Sequence, residues 1–279
     1  MSRPAQTRKV VGKVLLYAIL TAAAIVMVFP LYNGVVTSFL SPNKVDTYPP
    51  TLFPVELYWQ NYADALRQAP LLRFVMNSFI QSSGVMVAQL VLASLAAFAF
   101  AFLPFKGKQF VFLVFLSTMM IPWESTIIPN YLFIQGIKWD DTYLGLIAPF
   151  MASAFATFLI RQSFMSLPRD LYDAAVIDGC SNLRYLLTIA VPLARPALGT
   201  LAVYSFLQTY NQYLWPLLIT NKVEMRTVQI GITMLRDAER EMWAVVLAGV
   251  VIVMIPTLIL FVIANRQLIR GLTAGALKG

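Results

Sequence analysis

The stretch FVMNSFIQSSGVMVAQLVLASLAAFAFAFLPF occupies residues 74–105 and contains no charged side chain. A helix rises 1.5 Å per residue, so about 20 apolar residues cross the hydrocarbon core of a bilayer. This run is longer than a crossing requires, and it lacks the charged face that a helix in water would present. It predicts a membrane-spanning helix that projects beyond the bilayer or bends.

The composition of the whole chain agrees with this prediction. Of its 279 residues, 59% are hydrophobic and 12% are charged, whereas about 25% of residues are charged in soluble domains. So few charges argue against a soluble enzyme, a disordered chain or a coiled coil. The net charge of +8 comes from Lys and Arg scattered between apolar runs, not clustered as nucleic-acid binding requires. With one Cys and no His, we expect no disulfide framework, no His-containing zinc site and no Ser-His-Asp triad. We predict neither a metal site nor catalytic residues.

Five further apolar runs predict additional spans. The first is preceded by basic residues, as a signal peptide is, but it is about twice as long as a signal sequence and no convincing cleavage site follows. We therefore expect it to be retained. The prediction is an all-α integral membrane protein, one transmembrane domain over residues 1–279, with helices at about 14–38, 74–104, 109–131, 142–164, 196–220 and 242–265.

The distribution of charge predicts the orientation of these six helices. If both termini are cytoplasmic, the inner segments hold 13 basic residues and the outer segments hold 8. Only three acids, Asp170, Asp173 and Asp178, then lie on the inner side. Basic residues favour the cytoplasmic side of a membrane protein, so the sequence predicts an N-in, C-in arrangement.

The longest inner segment, residues 165–192, has the pattern of two short helices joined by a sharp turn. Pro168 suits the start of a helix, where a missing N–H is tolerated. Gly179 is placed to end that helix in a left-handed conformation. Ser181 can cap the second helix, and Pro192 should stop it. From these residues alone, the first helix either docks on another protein or rests on lipid as an amphipathic helix.

One motif in this loop resembles a known family. The run Asp173-Ala-Ala-Val-Ile-Asp-Gly179, then nine residues and Ile189-Ala-Val-Pro192, is similar to the EAA motif of ABC importer permeases. That motif reads Glu-Ala-Ala, three residues, Gly, nine residues and Ile-x-Leu-Pro, so Asp173 replaces Glu and Val191 replaces Leu. The resemblance implies the MetI-like permease fold and a coupling helix that docks on a cytoplasmic ATPase. The coupling residues implied are Asp173, Ala174, Ala175, Asp178, Gly179 and Pro192.

Other stretches resemble the carbohydrate-uptake (MalG-like) branch of that family. The Gly-rich tail, residues 266–279, resembles the tail of that branch, which implies a cytoplasmic segment near the ATPase interface; a frayed terminus is the alternative. Residues 145–168 and 211–218 are similar to permease subunits for glycerol 3-phosphate. The implied function is half of the translocation pathway of a binding-protein-dependent importer in the bacterial inner membrane, for a sugar or a glycerol-phosphate-type solute.

The resemblance also implies partners. These are a second related permease, two cytoplasmic ATPase subunits, an extracytoplasmic solute-binding protein and membrane lipid, and no nucleic acid. The chain lacks a G-x-x-x-x-G-K-[ST] phosphate loop. We therefore expect this chain to bind no cofactor and to hydrolyse no ATP itself, with ATP and Mg bound by the partner ATPase.

Polar residues within membrane spans mark candidate pathway positions. Glu124 interrupts the third span, and it either faces the pathway or marks the end of the span in outside water. A polar and aromatic patch late in the fifth span either contacts a hydroxyl-rich solute or belongs to an interfacial aromatic belt. Asn77 and Ser78 are weaker candidates, because interhelical hydrogen bonds explain them equally well. The candidates are Trp123, Glu124, Asn130, Tyr210, Asn211, Gln212, Tyr213 and Trp215.

Two other classes of membrane protein are alternatives to the importer permease. A secondary transporter driven by an ion gradient would favour buried acids and an internal repeat, and only Glu124 meets the first of these. An intramembrane enzyme would need paired catalytic residues within the spans, which the sequence lacks. The ion-driven transporter is the remaining alternative.

Overall fold

The computed structural model describes residues 3–54, 56–236 and 242–274, with side chains over 12–54, 56–236 and 242–263. All regular secondary structure in this part of the chain is helical. The predicted tail, residues 266–279, falls beyond the residues whose side chains are described. The α-helices are α1 (Arg3–Ser38), α2 (Pro42–Val45), α3 (Gln60–Gln68), α4 (Leu71–Ala101), α5 (Lys108–Ser117), α6 (Trp123–Gly136), α7 (Tyr143–Ile147), α8 (Ala154–Met165), α9 (Arg169–Ile177), α10 (Asn182–Tyr185), α11 (Val191–Leu193), α12 (Arg195–Tyr210), α13 (Leu214–Ile219), α14 (Val228–Arg236) and α15 (Trp243–Ala274).

Three of the described helical stretches are long and apolar enough to cross a membrane alone: Gly12–Ser38, Leu71–Ala101 and Trp243–Ile263. Three more candidates are bent pairs, Lys108–Met120 with Trp123–Gly136, Tyr143–Phe150 with Ala154–Met165, and Asn182–Leu193 with Arg195–Tyr210. The described helices therefore give six membrane spans if each bent pair counts as one span.

The bends follow from local chemistry. The first pair bends by 95° at Pro122, which precedes α6 with an extended ψ of 135° and has no N–H to continue the preceding helix. In the second pair, bent by 52°, the Ser153 hydroxyl accepts a hydrogen bond from the Ala156 N–H and starts α8 afresh. The predicted fifth span, 196–220, corresponds to α12 and α13, which are separated at residues 211–213.

The described residues divide into two compact units, one from residues 1–69 and 232–252 and the other from 70–231 and 253–279. In the larger unit, α4 packs against α8 and α12. Small side chains allow this close approach, as is common between helices in membranes: Ala93 and Ala97 on α4 and Ala156 on α8 are at most 2% exposed. In the smaller unit, α1 has large exposed apolar side chains such as Met27, which suit acyl chains and not water.

Candidate solute cavity and coupling loop

A hollow of about 510 Å³ lies between α4, α6, the α7–α8 junction and the α12–α13 segment. Six of the predicted pathway residues line it: Trp123, Glu124, Asn211, Gln212, Tyr213 and Trp215. The sequence prediction missed the remaining residues of the lining. These are Gln89, Phe150, Ser153, Phe155, Tyr204, Ser205, Gln208, Thr209 and Leu214.

Glu124 enters the hollow from the first turn of α6. The first turn of a helix has N–H groups without intrahelical partners, and their partial positive charge favours a carboxylate. The side chain is exposed. The sequence left open whether Glu124 marks the end of a span or faces the pathway. The structure has a feature of each, because the helical path breaks just before Glu124 and its side chain lines the hollow.

Three aromatic rings form one wall of the hollow. The ring of Trp123 lies 4.6 Å from that of Phe150 and 5.8 Å from that of Trp215 between centroids. Trp215 is fixed in place, because its Nε1 donates a hydrogen bond of 3.1 Å to the Gly145 carbonyl oxygen. Gly145 in turn lies so close to the Trp139 carbonyl that a Cβ could not fit there. The wall is thus a fixed apolar surface of the kind that covers the apolar face of a sugar ring.

Amides and hydroxyls also line the hollow. Gln212 is oriented by Gln81, whose Nε2 donates to Gln212 Oε1 at 2.9 Å, and Gln89 donates to the Phe150 carbonyl oxygen at 2.8 Å. Gln208 is exposed on α12. The Ser205 Oγ is buried and has no hydrogen-bond partner among the described residues, although a buried hydroxyl ordinarily has one. These groups are suited to binding hydroxyls.

The described lining of the hollow carries a single charged side chain. Glu124 is its only charged side chain, and no Lys or Arg is among the described residues around it. A carboxylate accepts hydrogen bonds from hydroxyls or attracts a cation, whereas it repels a phosphate. The hollow therefore suits neutral or cation-bearing polyols better than it suits an uncompensated anion.

Two predicted pathway residues lie outside the hollow. Tyr210 is 2% exposed, and its hydroxyl donates a hydrogen bond of 2.9 Å to the Val253 carbonyl oxygen, so this side chain joins α12 to α15 and does not face the cavity. Asn130 is half-buried on α6 and is not part of the lining. Successive residues of an α-helix are rotated by about 100° around its axis, so neighbours in sequence such as Tyr210 and Asn211 point in different directions.

The side chains of Asn77 and Ser78 bond to the segment from Glu224 to Val228. Asn77 Nδ2 donates to the carbonyl oxygens of Glu224 and Arg226 at 2.7 and 2.8 Å, and its Oδ1 accepts from the Tyr143 hydroxyl at 2.7 Å. The Ser78 hydroxyl accepts from the Val228 N–H at 3.0 Å. These contacts agree with the hydrogen-bonding explanation of both residues.

Two of the missed residues, Tyr204 and Gln208, carried a signal in the sequence. They lie four residues apart, and spacings of three and four residues continue to the predicted Asn211 and Trp215, which is the pattern of one helix face. Gln89, Phe150 and Ser153 gave no such signal, because their positions depend on how separate helices pack.

The loop that resembles the EAA motif contains α9, which begins directly after Pro168. Gly179 has a φ of +75° and completes a Schellman turn: the Cys180 N–H donates to the Ala175 carbonyl oxygen and the Gly179 N–H to that of Val176. Ser181 then caps α10 by accepting a hydrogen bond from the Arg184 N–H. The predicted helix, turn and cap all occur at the predicted residues.

Exposure divides the implied coupling residues into two groups. Asp173, Ala174, Asp178 and Gly179 are exposed, whereas Ala175 is only 8% exposed. Ile177, which sequence reasoning missed, is 85% exposed, which is unusual for a branched aliphatic side chain. The outward face of α9 thus carries an apolar tip between acidic residues.

The inward face of α9 packs into an aromatic cluster, which consists of Phe98, Phe102, Tyr172 and Tyr185. The ring of Tyr172 lies 5.1 Å from those of Phe102 and Tyr185, and the Phe98 and Phe102 rings are 5.3 Å apart. The Tyr172 hydroxyl also bonds to Asn182 Oδ1 at 2.9 Å. Because Phe98 lies in the last turn of α4 and Phe102 is its C-cap residue, the cluster joins the loop directly to a candidate membrane span.

Pro192 lies near the end of the second helical stretch, which continues one residue further to Leu193. Residues Leu186–Ala190, just before it, form a π-helical turn. A proline removes one hydrogen bond and crowds the carbonyl four residues earlier, and a widened turn relieves that crowding. The chain then bends by 81° into α12.

Comparison with known proteins identifies the family. The model of the family described as binding-protein-dependent transport system inner membrane component matches residues 89–272. This chain belongs to that family. The permease is therefore an inner-membrane transport subunit, and the predicted localisation and importer function are confirmed, whereas the ion-driven alternative is not.

Curated relatives match nearly the whole permease. It is 33% identical over 265 residues to the sn-glycerol-3-phosphate transport system permease protein UgpE of Brucella abortus (strain 2308), which covers 92% of this chain and 94% of the relative. It is 36% identical over 256 residues to the protein of that name from Escherichia coli O1:K1 / APEC, with 88% and 91% covered. The predicted similarity to these permeases is confirmed.

Solved structures confirm the all-α permease fold. A subunit of a bacterial ABC transporter involved in the import of the acidic polysaccharide alginate matches with a TM-score of 0.81 at 22% identity, over 95% of this chain and 98% of that chain. A second alginate transporter structure, in complex with a pentasaccharide-bound periplasmic protein, matches with a TM-score of 0.65 at 15% identity, over 93% and 96%. Membership of the family implies the predicted partners of the permease, namely a solute-binding protein, a second permease and an ATPase.

Proposed function

We propose that this permease forms half of a translocation pathway for a hydroxyl-rich solute, either a sugar or a glycerol-phosphate-type molecule. The observation that carries the proposal is the hollow beside α6 and α12, whose lining combines an aromatic wall with amides and hydroxyls. Rings cover the apolar faces of a polyol, and amides exchange hydrogen bonds with its hydroxyls. The names of the curated relatives support the glycerol-phosphate class.

The charge of the lining ranks the solutes within this class. Glu124 without a cationic neighbour in the lining favours a neutral sugar or a choline-bearing glycerophosphodiester over a free phosphate monoester. A choline group beside Trp123 and Glu124 would have both a ring face and a carboxylate, and a cation–π contact contributes about 0.5–2 kcal/mol.

The energy for transport comes, in this proposal, from a partner. The ATPase subunits bind ATP and Mg, and this chain binds neither. The exposed face of α9, with Asp173, Ala174, Ile177, Asp178 and Gly179, contacts the ATPase, and Ala175 and Pro192 maintain the shape of the loop. The aromatic cluster passes movement of α9 to the end of α4.

Replacement of Glu124 tests the solute assignment. Uptake by the reconstituted transporter is measured with a neutral disaccharide, with glycerophosphocholine and with sn-glycerol 3-phosphate. The Glu124→Gln change should raise the half-saturating concentration about tenfold or more for the transported solute, because a hydrogen bond to a charged group contributes about 1.5–3 kcal/mol. The effect should be largest for the choline diester.

Glu224→Gln is the matched control, since Glu224 is an exposed acid outside the hollow. This control should transport like the wild type at equal expression. Identical uptake by Glu124→Gln at every solute concentration would contradict a pathway role for Glu124.

A further inference from the structure

A group of cations lies apart from the hollow, where α4 ends, α5 begins, and α8 leads into α9. Lys106, Lys108 and Arg169 line one depression of about 520 Å³. Lys108 and Arg161 line a neighbouring one of about 550 Å³. Lys108 therefore stands between the two depressions, and it is within electrostatic range of both arginines.

In the part of the chain that the structure describes, no acid pairs with these cations. Among the described side chains, none of the four cations forms a salt bridge. Like charges brought together repel each other, and a fold tolerates such a group when an external anion compensates it. The group thus has the electrostatics of a binding site for an anion.

Part of the donor capacity of these cations is used by the protein. Lys108 Nζ donates to the Leu103 carbonyl oxygen at 3.1 Å, and Arg161 Nε donates to that of Phe100 at 3.4 Å. The Arg161 guanidinium lies 4.0 Å from the centroid of the Phe112 ring. These contacts hold the two side chains in place, and the remaining N–H groups of the guanidinium are free for a ligand. Lys106 and Arg169 are exposed.

The surroundings of the cations are apolar. Phe105 is 42% exposed beside Lys106, and Phe110 and Leu113 on α5 are 71% and 57% exposed. In the predicted orientation, the ends of these helices lie at the cytoplasmic surface of the inner membrane. Cations at that level, next to exposed apolar side chains, match a lipid with an anionic headgroup and acyl chains.

We propose that Lys106, Lys108, Arg161 and Arg169 bind the anionic headgroup of an inner-leaflet phospholipid, with its acyl chains along the exposed apolar side of α5. The N-terminus of α5, whose N-cap is Gly107, adds partial positive charge at the same place. The bound lipid would compensate the cations and would join the ends of α4, α5 and α8 to the start of α9.

The test uses the complete transporter reconstituted in phosphatidylcholine bilayers that contain spin-labelled phosphatidylglycerol or spin-labelled phosphatidylcholine. Electron spin resonance measures the association constant of each labelled lipid with the protein. Wild type should prefer phosphatidylglycerol. The double change Lys106→Gln with Arg169→Gln should weaken that preference about 30-fold, because each basic residue near an anionic lipid contributes about 1 kcal/mol.

Controls separate this site from general surface charge. The double change Arg184→Gln with Arg195→Gln removes two exposed cations elsewhere and should keep the preference for phosphatidylglycerol. The double change Lys106→Arg with Arg169→Lys preserves the charge and should keep it too. Added inorganic phosphate should not displace the lipid, and displacement by phosphate alone would assign the site to a soluble anion. Three results would overturn the proposal. The Lys106→Gln with Arg169→Gln variant could keep the lipid preference, or both double Gln variants could lose it equally. The test variant could also lose ATPase copurification while it keeps the lipid preference.

Discussion

The coupling loop and the solute hollow differ in how their geometry arises. The loop is one continuous segment, whose turn is set by Gly179 and whose second helix is capped by Ser181. The hollow is assembled from side chains of α4, α6, α8, α12 and α13. Changes in the loop should therefore act through packing and backbone conformation, whereas changes in the hollow should act on solute affinity and leave the fold intact.

Phe102 offers the largest expected effect on the loop side of this comparison. It is 6% exposed and contacts the rings of Phe98, Phe164 and Tyr172. Truncation of a packed Phe to Ala costs about 3–5 kcal/mol, so Phe102→Ala should lower the thermal unfolding midpoint of the purified transporter sharply. Tyr204→Ala, in the hollow and 45% exposed, should reduce uptake and change that midpoint little. Equal midpoints for the two variants would break the distinction.

Gly179 should give the next largest effect. A Cβ on this residue meets no other atom of the permease within 4 Å, so within the permease only the positive φ resists substitution. A left-handed conformation costs about 1–2 kcal/mol for an ordinary L-residue, and Asn tolerates it better than a β-branched residue does. Gly179→Val should reduce solute-stimulated ATPase activity about tenfold, and Gly179→Asn should retain most of it. Full stimulation with Val would show that coupling does not depend on this turn.

Tyr172→Phe should have the smallest effect of the three. The change keeps the ring in the aromatic cluster and removes the hydrogen bond to Asn182, which contributes about 0.5–1.5 kcal/mol. Stimulated ATPase activity should fall a few-fold while solute affinity stays constant. A change in the half-saturating solute concentration would mean that the loop and the hollow are not separable.

The sequence predicted the parts of the molecule that local rules determine. Pro168, Gly179 and Ser181 act on their own backbone or on that of near neighbours, so their roles could be inferred without a tertiary structure. Asp173 and Gly179 were recognised as part of a continuous motif for the same reason. The apolar runs likewise predicted helices, although proline and capping residues divide several of them.

Contacts between distant segments could not be predicted in this way. Tyr210 was assigned to the pathway as part of the polar and aromatic patch late in the fifth span, and only the position of α15 shows that its hydroxyl bonds to the Val253 carbonyl oxygen. Ala175 was grouped with Ala174, and the aromatic cluster decides which of the two is buried. Gln89 lines the hollow because of how α4 packs against other helices, and the sequence around Gln89 does not predict that packing.

The central claim is that the outward face of α9 docks on the ATPase while its inward face packs within the permease. Cysteine cross-linking tests it in a Cys180→Ser background, which removes the single native thiol. Ile177→Cys, at a site 85% exposed, should cross-link to the ATPase subunit with a short thiol reagent, and the yield should change when ATP is added. Ala175→Cys, at a site 8% exposed, is the matched control and should not cross-link. Equal cross-linking at both positions, or none at Ile177→Cys in an assembled transporter, would contradict the account.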